Sequence, residues 1–313
     1  HERAAGLDLL LALTVSGLTS GDYRAAGAAA DAMRHAVPMP DLPLDQQLVC
    51  DVVDVMTGAD NAGAYLRSDW VDRYPWRRIS DPSIPVGTIG AALGWIDELD
   101  ACAAIARRCR ELADEGGFLA AQLAAGSVSA IYEQAHGRWD RVRLEYAASE
   151  ALALDSDFSG PYPFIALRHA YLLAAQGRAA ECRRLQRRAR EVAPTWTPAF
   201  QHLDQCVSGL LHLSLGEFTA SADALDAAAA AEEAMGSVVS GYTSRFADRF
   251  QAYWHLGRAH ELEPELAVFE AAAERVRHPT MTAEAARCRA LLVPDADMDE
   301  AFSAVLARHA DST

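Results

Sequence analysis

The chain has 313 residues, a net charge of −16 and a pI near 5.0, with 51% apolar but only 8% aromatic residues. All 28 basic residues are Arg, so a Walker A phosphate loop, which needs a Lys, is excluded. The acidic balance excludes nucleic-acid binding through the general field. No apolar run reaches transmembrane length and no signal peptide is recognisable.

Residues 5–36 predict a helical hairpin split at Gly21, with Leu9, Leu13 and Leu18 before the turn and Tyr23 and Met33 after it. A Pro-rich link over 37–45 stops the second helix. Leu48, Val52, Val55 and Met56 mark the next helix, and a short partner is expected from Asp60 to about Arg67. Residues 68–87 are irregular and hold Trp70, Tyr74, Trp76 and three Pro. Two readings stand: the aromatics plug a gap between unequal hairpins, or Trp70 and Trp76 close a ligand site with neighbouring Arg forks. Beyond this stretch, helix pairs are expected at 84–95 with 98–115, 117–135 with 138–154, and 161–175 with 178–192. They continue at 198–214 with 217–234, 239–255 with 259–276, and 280–292 with 297–309. Pro198 after Thr197 reads as a helix start, and Asp297 with Glu300 resembles a capping box. The boundary at Pro264 stays open. The six Cys are dispersed without a C-x-x-C and read as reduced core residues of a cytoplasmic protein.

Turns of one kind set a cadence. Gly137, Gly177, Gly216 and Gly257 follow at steps of 40, 39 and 41 residues. The series extends back through Asp97, Gly58 and Gly21 and forward to a break near Asp295. A single hairpin cannot bury its apolar face, so hairpins of this period must stack. The expected fold is all-α, a right-handed α-solenoid of about eight antiparallel helix pairs, tetratricopeptide-like with a period near 40. It forms one helical-repeat domain over 1–313.

Catalytic constellations are missing from the sequence: there is no H-E-x-x-H, G-x-S-x-G, Gly-rich phosphate loop or D-D-x-x-D cluster. An enzyme, a cofactor site and a metal site are therefore not expected, and His260 with Glu261 and Glu263 reads as surface. The Arg-rich run over 178–190 reads as a solvated outer face. A solenoid offers its concave face, lined by the first helix of each pair. The candidate ligand-binding residues are Tyr162, His169, His202, Gln205, Arg245, Arg249 and Trp254, together with Trp70 and Trp76; Gln122 and Tyr242, also on first helices, are further functional candidates. Arg245 and Arg249 are four apart on one face and either grip an anionic group or pair with Asp248 and other acids.

The runs YEQAHGRWDRVRLEYAASEALAL, LRHAYLLAAQGRAAECRRL, GLLHLSLGEFTASADALDAA and EAARCRALLVPDADMDEAFSAVLARH resemble the helical-repeat region of large ATP-binding transcriptional regulators of the LuxR family. The resemblance spans Gly6 to about Ala310. It implies a signal-sensing domain that binds a small-molecule inducer, a partner protein or the regulator's own flanking domains. ATP is expected only in a separate N-terminal module and DNA only through a C-terminal domain, neither of which this chain carries. The start at His1 reads as a piece of a longer protein. A free-standing repeat scaffold that binds a peptide or partner protein is the alternative. Membrane association is not expected, and self-association stays open.

Overall fold

In the computed structural model, residues 2–59, 62–74, 76, 86–156, 159–237 and 244–310 are described. Among them the regular structure is helical throughout. The α-helices are α1 (Glu2–Ser20), α2 (Tyr23–Ala36), α3 (Leu44–Thr57), α4 (Val86–Trp95), α5 (Leu99–Gly116), α6 (Leu119–Ala135), α7 (Trp139–Asp155) and α8 (Tyr162–Ala175). They continue with α9 (Ala179–Val192), α10 (Pro198–Ser214), α11 (Phe218–Met235), α12 (Arg245–His255), α13 (Glu263–Arg275), α14 (Pro279–Ala290) and α15 (Met298–Ala310).

Two kinds of helix alternate. α8 buries residues all round its axis, including Tyr162, Ile165, Leu167, Ala170, Tyr171 and Leu173. Its neighbour α9 buries only Cys182, Leu185, Gln186 and Ala189, a single stripe at spacings of three and four. The same contrast follows from packing. Each helix from α4 to α9 lies against the next, and α10 does so with α11. In addition α4 packs on α6, α8 on α10, α10 on α12 and α12 on α14. These even-numbered helices lie inward, and α5, α7, α9, α11 and α13, each with a single buried stripe, lie outside them; α3, by contrast, buries residues on all sides. α10 shows the consequence: Leu203 belongs to one apolar cluster, and Cys206, Val207 and Leu211 to the next.

The turn cadence is visible in the backbone. Gly21, Gly58, Gly137, Gly177, Gly216 and Gly257 all have left-handed φ between 66 and 83°, the conformation in which Gly carries no Cβ penalty. Asp97 occupies the same place in the series with φ 59°. Other junctions follow local rules. Thr197 caps α10 by accepting from the Phe200 N–H at 3.3 Å, with Pro198 next to it. Pro264 lies in the first turn of α13, where its missing N–H costs nothing.

Three boundaries differ from the sequence expectation. The short partner helix at 60–67 is absent: residues 62–67 form turns, and 60–61 lie outside the described residues. Gly63 there has φ 82°. The buried Asp51 of α3 accepts from the N–H of Gly63 at 2.9 Å and of Leu66 at 2.8 Å, so a carboxylate replaces helical carbonyls as the acceptor. The helix expected from 239 begins at Arg245 within the described residues, and 238–243, including Tyr242, lie outside them. The helix expected from 259 opens with a 3-10 turn over Ala259–Leu262.

The two ends of the stack also meet. α1 packs on α10, and Met235 and Ala199 belong to the apolar cluster of α1–α6. Arg24 donates to the Glu233 carbonyl at 3.3 Å, Ser237 to that of Met56 at 3.2 Å, and Arg275 to that of Gly58 at 3.3 Å. The N-terminal hairpins thus lie against the C-terminal ones instead of ending free.

Candidate functional site

A set of polar groups from α8, α12 and α14 meets around the buried Asp248. Tyr171 of α8 donates to Asp248 of α12 at 3.3 Å, and its hydroxyl accepts the Ser244 N–H at 3.2 Å. The Ser244 hydroxyl bonds Glu284 of α14, and Arg287, one turn along α14, attracts both acids. Burial pushes Asp248 up to about 6, against the pull of Arg287 and Tyr171. It pushes Glu284 up to about 7, with Asp248 and Asp97 adding to the rise and Ser244 and Arg287 opposing it. Tyr171 is raised well above the ordinary phenol range, by burial first and then by Asp248. Near neutral pH Glu284 is therefore partly protonated and can donate as well as accept a hydrogen bond, while Asp248 is mostly ionised and accepts. Glu284 is half-buried and Asp248 is only 8% exposed.

The nine sequence candidates do not converge on one point. Trp70 and Trp76 are buried and lie 6.5 Å apart, with Tyr74 edge-on between them. Their indole N–H groups donate to the carbonyls of Leu66 at 3.1 Å and Val71 at 2.8 Å. They belong to the apolar cluster of the N-terminal core; residues 75 and 77–85 of the same stretch lie outside the described residues. Tyr162 is a core residue beside Tyr146. His169, one helical face along, bonds Glu150 at 2.6 Å through Nδ1, and its Nε2 is buried without a partner. His202 is buried; its Nδ1–H donates to the Ala228 carbonyl at 3.0 Å, and its Nε2 lies 3.6 Å from the Cys206 thiol. Gln205 is half-buried on the same helix, and Gln122 is exposed.

Arg245 and Arg249 share α12 but are committed elsewhere. Arg249 donates to Asp226 and to Glu265, each at 2.5 Å, and lies over the Tyr253 ring. Arg245 pairs with the buried Glu232, and its Nε and Nη1 are buried with no partner among the described residues. The pairing with Asp248 that the spacing allowed is not made; Asp248 turns to Tyr171 instead. Trp254 is 36% exposed against His255. On α9, Arg178, Arg188 and Arg190 pair with Glu181, Glu191 and Asp204, while Arg183, Arg184 and Arg187 are exposed.

Sequence reasoning missed Tyr171 and Glu284 and gave Asp248 only a supporting part. One signal was available for Asp248. Helix α12 buries Phe246, Ala247, Phe250 and Tyr253, almost its whole circumference, so an acid within it must be buried and must find a partner. A cleft of about 570 Å³ lies between α13, α14 and α15, but Arg289 on its wall is held by Glu270 at 2.8 and 2.7 Å. Among the described residues no group of three or more His, Cys, Asp or Glu is arranged to hold a metal ion, and no helix is long and apolar enough to cross a membrane. All six Cys are free and buried, and burial pushes the thiols of Cys50, Cys102, Cys109, Cys182 and Cys288 up to about 12. No protein-family model, no curated protein and no solved structure matches the chain.

Proposed function

We propose that the chain is a binding module: a right-handed superhelical array of about eight helical hairpins that senses a signal within a larger regulator, as the resemblance to the LuxR-family repeat regions implies. The observation that carries this reading is the alternation of central and covering helices, with next-but-one packing along α8, α10, α12 and α14. Such an array places one continuous layer within reach of a ligand. In that layer the Tyr171–Asp248–Glu284 cluster is the place where polar groups gather at depth. The chain acts by recognition and not by catalysis, and nucleotide hydrolysis and DNA reading belong to other modules. The reduced, buried thiols suit a cytoplasmic setting.

One observation favours the scaffold reading, in which a partner protein or peptide is bound. Arg249 and Arg245, the cations best placed to grip a small anion, are engaged by Asp226, Glu265 and Glu232, which leaves recognition to outer faces. A thermal-shift screen of the chain against sugars, nucleotides and small metabolites separates the two. A small molecule at 100 times its dissociation constant stabilises the fold by about 2.7 kcal/mol. A shift that Glu284→Gln abolishes places a small molecule at the cluster; no shift from any compound transfers the proposal to a protein partner.

A further inference from the structure

Asp97 takes the left-handed turn conformation that Gly takes at the six comparable turns. Non-Gly residues persist in that region when surrounding contacts over-determine them, and here the contacts lie across the molecule. The Asp97 carboxylate accepts from the Thr280 N–H at 2.8 Å and the Thr280 hydroxyl at 2.9 Å, and it faces His278 Nδ1 at 3.0 Å. All three groups lie at the junction of α13 and α14, His278 at the cap and Thr280 in the first turn of α14. Beside them Arg67 donates to the Val276 carbonyl at 2.8 Å while pairing with Glu98 at 3.2 Å. Arg67 also bonds the Ala62 carbonyl at 2.9 Å, so it ties the turns at 62–67 to the same place.

The joint between the two ends is graded. At one end it is apolar: Gly21 abuts Ala199 and Met235, and α1 packs on α10. At the Asp97 end it consists of side chains reaching turn backbones, with sparse helix packing. A polar joint between turns opens at lower free energy than an apolar helix interface, because water replaces its hydrogen bonds directly.

We propose that Asp97, Arg67, Thr280 and His278 form a releasable clasp that holds the α4–α5 turn against the α13–α14 turn, and that the chain exchanges between this closed form and one in which the clasp is parted.

Hydrogen exchange read by mass spectrometry, with small-angle scattering, tests the clasp without any ligand. Asp97→Gly retains the turn conformation and removes the carboxylate. Exchange at the Thr280 amide and over 62–67 is expected to rise by about tenfold or more, as for a lost local closing contact, with a larger radius of gyration and unchanged protection in α8–α11. Thr280→Val, which removes only the hydroxyl, should reproduce the pattern more weakly. Wild-type protection at the clasp in Asp97→Gly overturns the proposal. Loss of protection throughout α8–α11 in both variants also overturns it, because the joint would then be part of the common core. Failure of every compound in the thermal-shift screen leaves this outcome untouched.

Discussion

Asp248 and Glu284 sit where an ionised carboxylate is costly, and the sign of their effect on stability follows from that. Burial raises both, to about 6 and about 7, above the ordinary values of 3.8 and 4.5. Between about pH 4 and pH 7 the folded chain therefore binds more protons than the unfolded chain, and stability falls as pH rises through that window. The melting temperature should be higher at pH 5 than at pH 8. Asp248→Asn with Glu284→Gln should flatten that slope by up to about 1.4 kcal/mol per pH unit for each group, and the comparison with wild type separates the pair from the general repulsion of a −16 chain. Asp97 behaves in the opposite sense. Burial alone would raise it, but His278 and Thr280 hold it below the usual carboxylate range. Its contribution is complete above the unfolded value and is lost as pH falls through the folded value, below about 4. Acid should therefore part the clasp in a window separate from that of the buried pair. Arg249 is the third residue whose surroundings settle its part. Its two carboxylate partners are half-exposed and can be solvated when it is removed, so Arg249→Ala should cost about 1–2 kcal/mol in chemical denaturation. The acidic neighbours of the α12 arginines could be anticipated as a class. That they are Asp226 and Glu265, from the helices on either side, depends on how neighbouring hairpins abut.

At the scale of the element, the glycine cadence names the hairpin turns because a left-handed residue is the cheapest way to end one helix and reverse into the next. Gly177 has φ 66° with open space around a would-be Cβ. Gly177→Ala should then cost only the backbone penalty of about 1–2 kcal/mol, read as a lowered denaturation midpoint. Gly209 is a different case: a Cβ there would lie 2.4 Å from Leu225 Cγ, so the glycine sets how closely α10 and α11 approach. The element read wrongly, 60–67, shows the limit of periodicity. A short apolar run beside a helix looks like its partner, but Gly63 breaks the helical conformation and Asp51 supplies acceptors that make a helix unnecessary. Trp70 and Trp76 turn inward for the related reason that the irregular stretch has to fill the space a missing helix leaves.

For the molecule as a whole, apolar spacing and the turn residues determined that this chain is helical and roughly where several of its helices reverse. Those features rest on hydrogen bonds that span four residues and on turn chemistry, both local in sequence. The meeting of the ends, the convergence of Tyr171, Asp248 and Glu284, and the choice of partner for the buried charges were decided only in three dimensions. Asp97 and Thr280 are separated by 183 residues, and Arg67 and Val276 by 209. No period links such positions: their encounter depends on the accumulated curvature of the intervening helices, which small differences in side-chain volume at each helix contact set together.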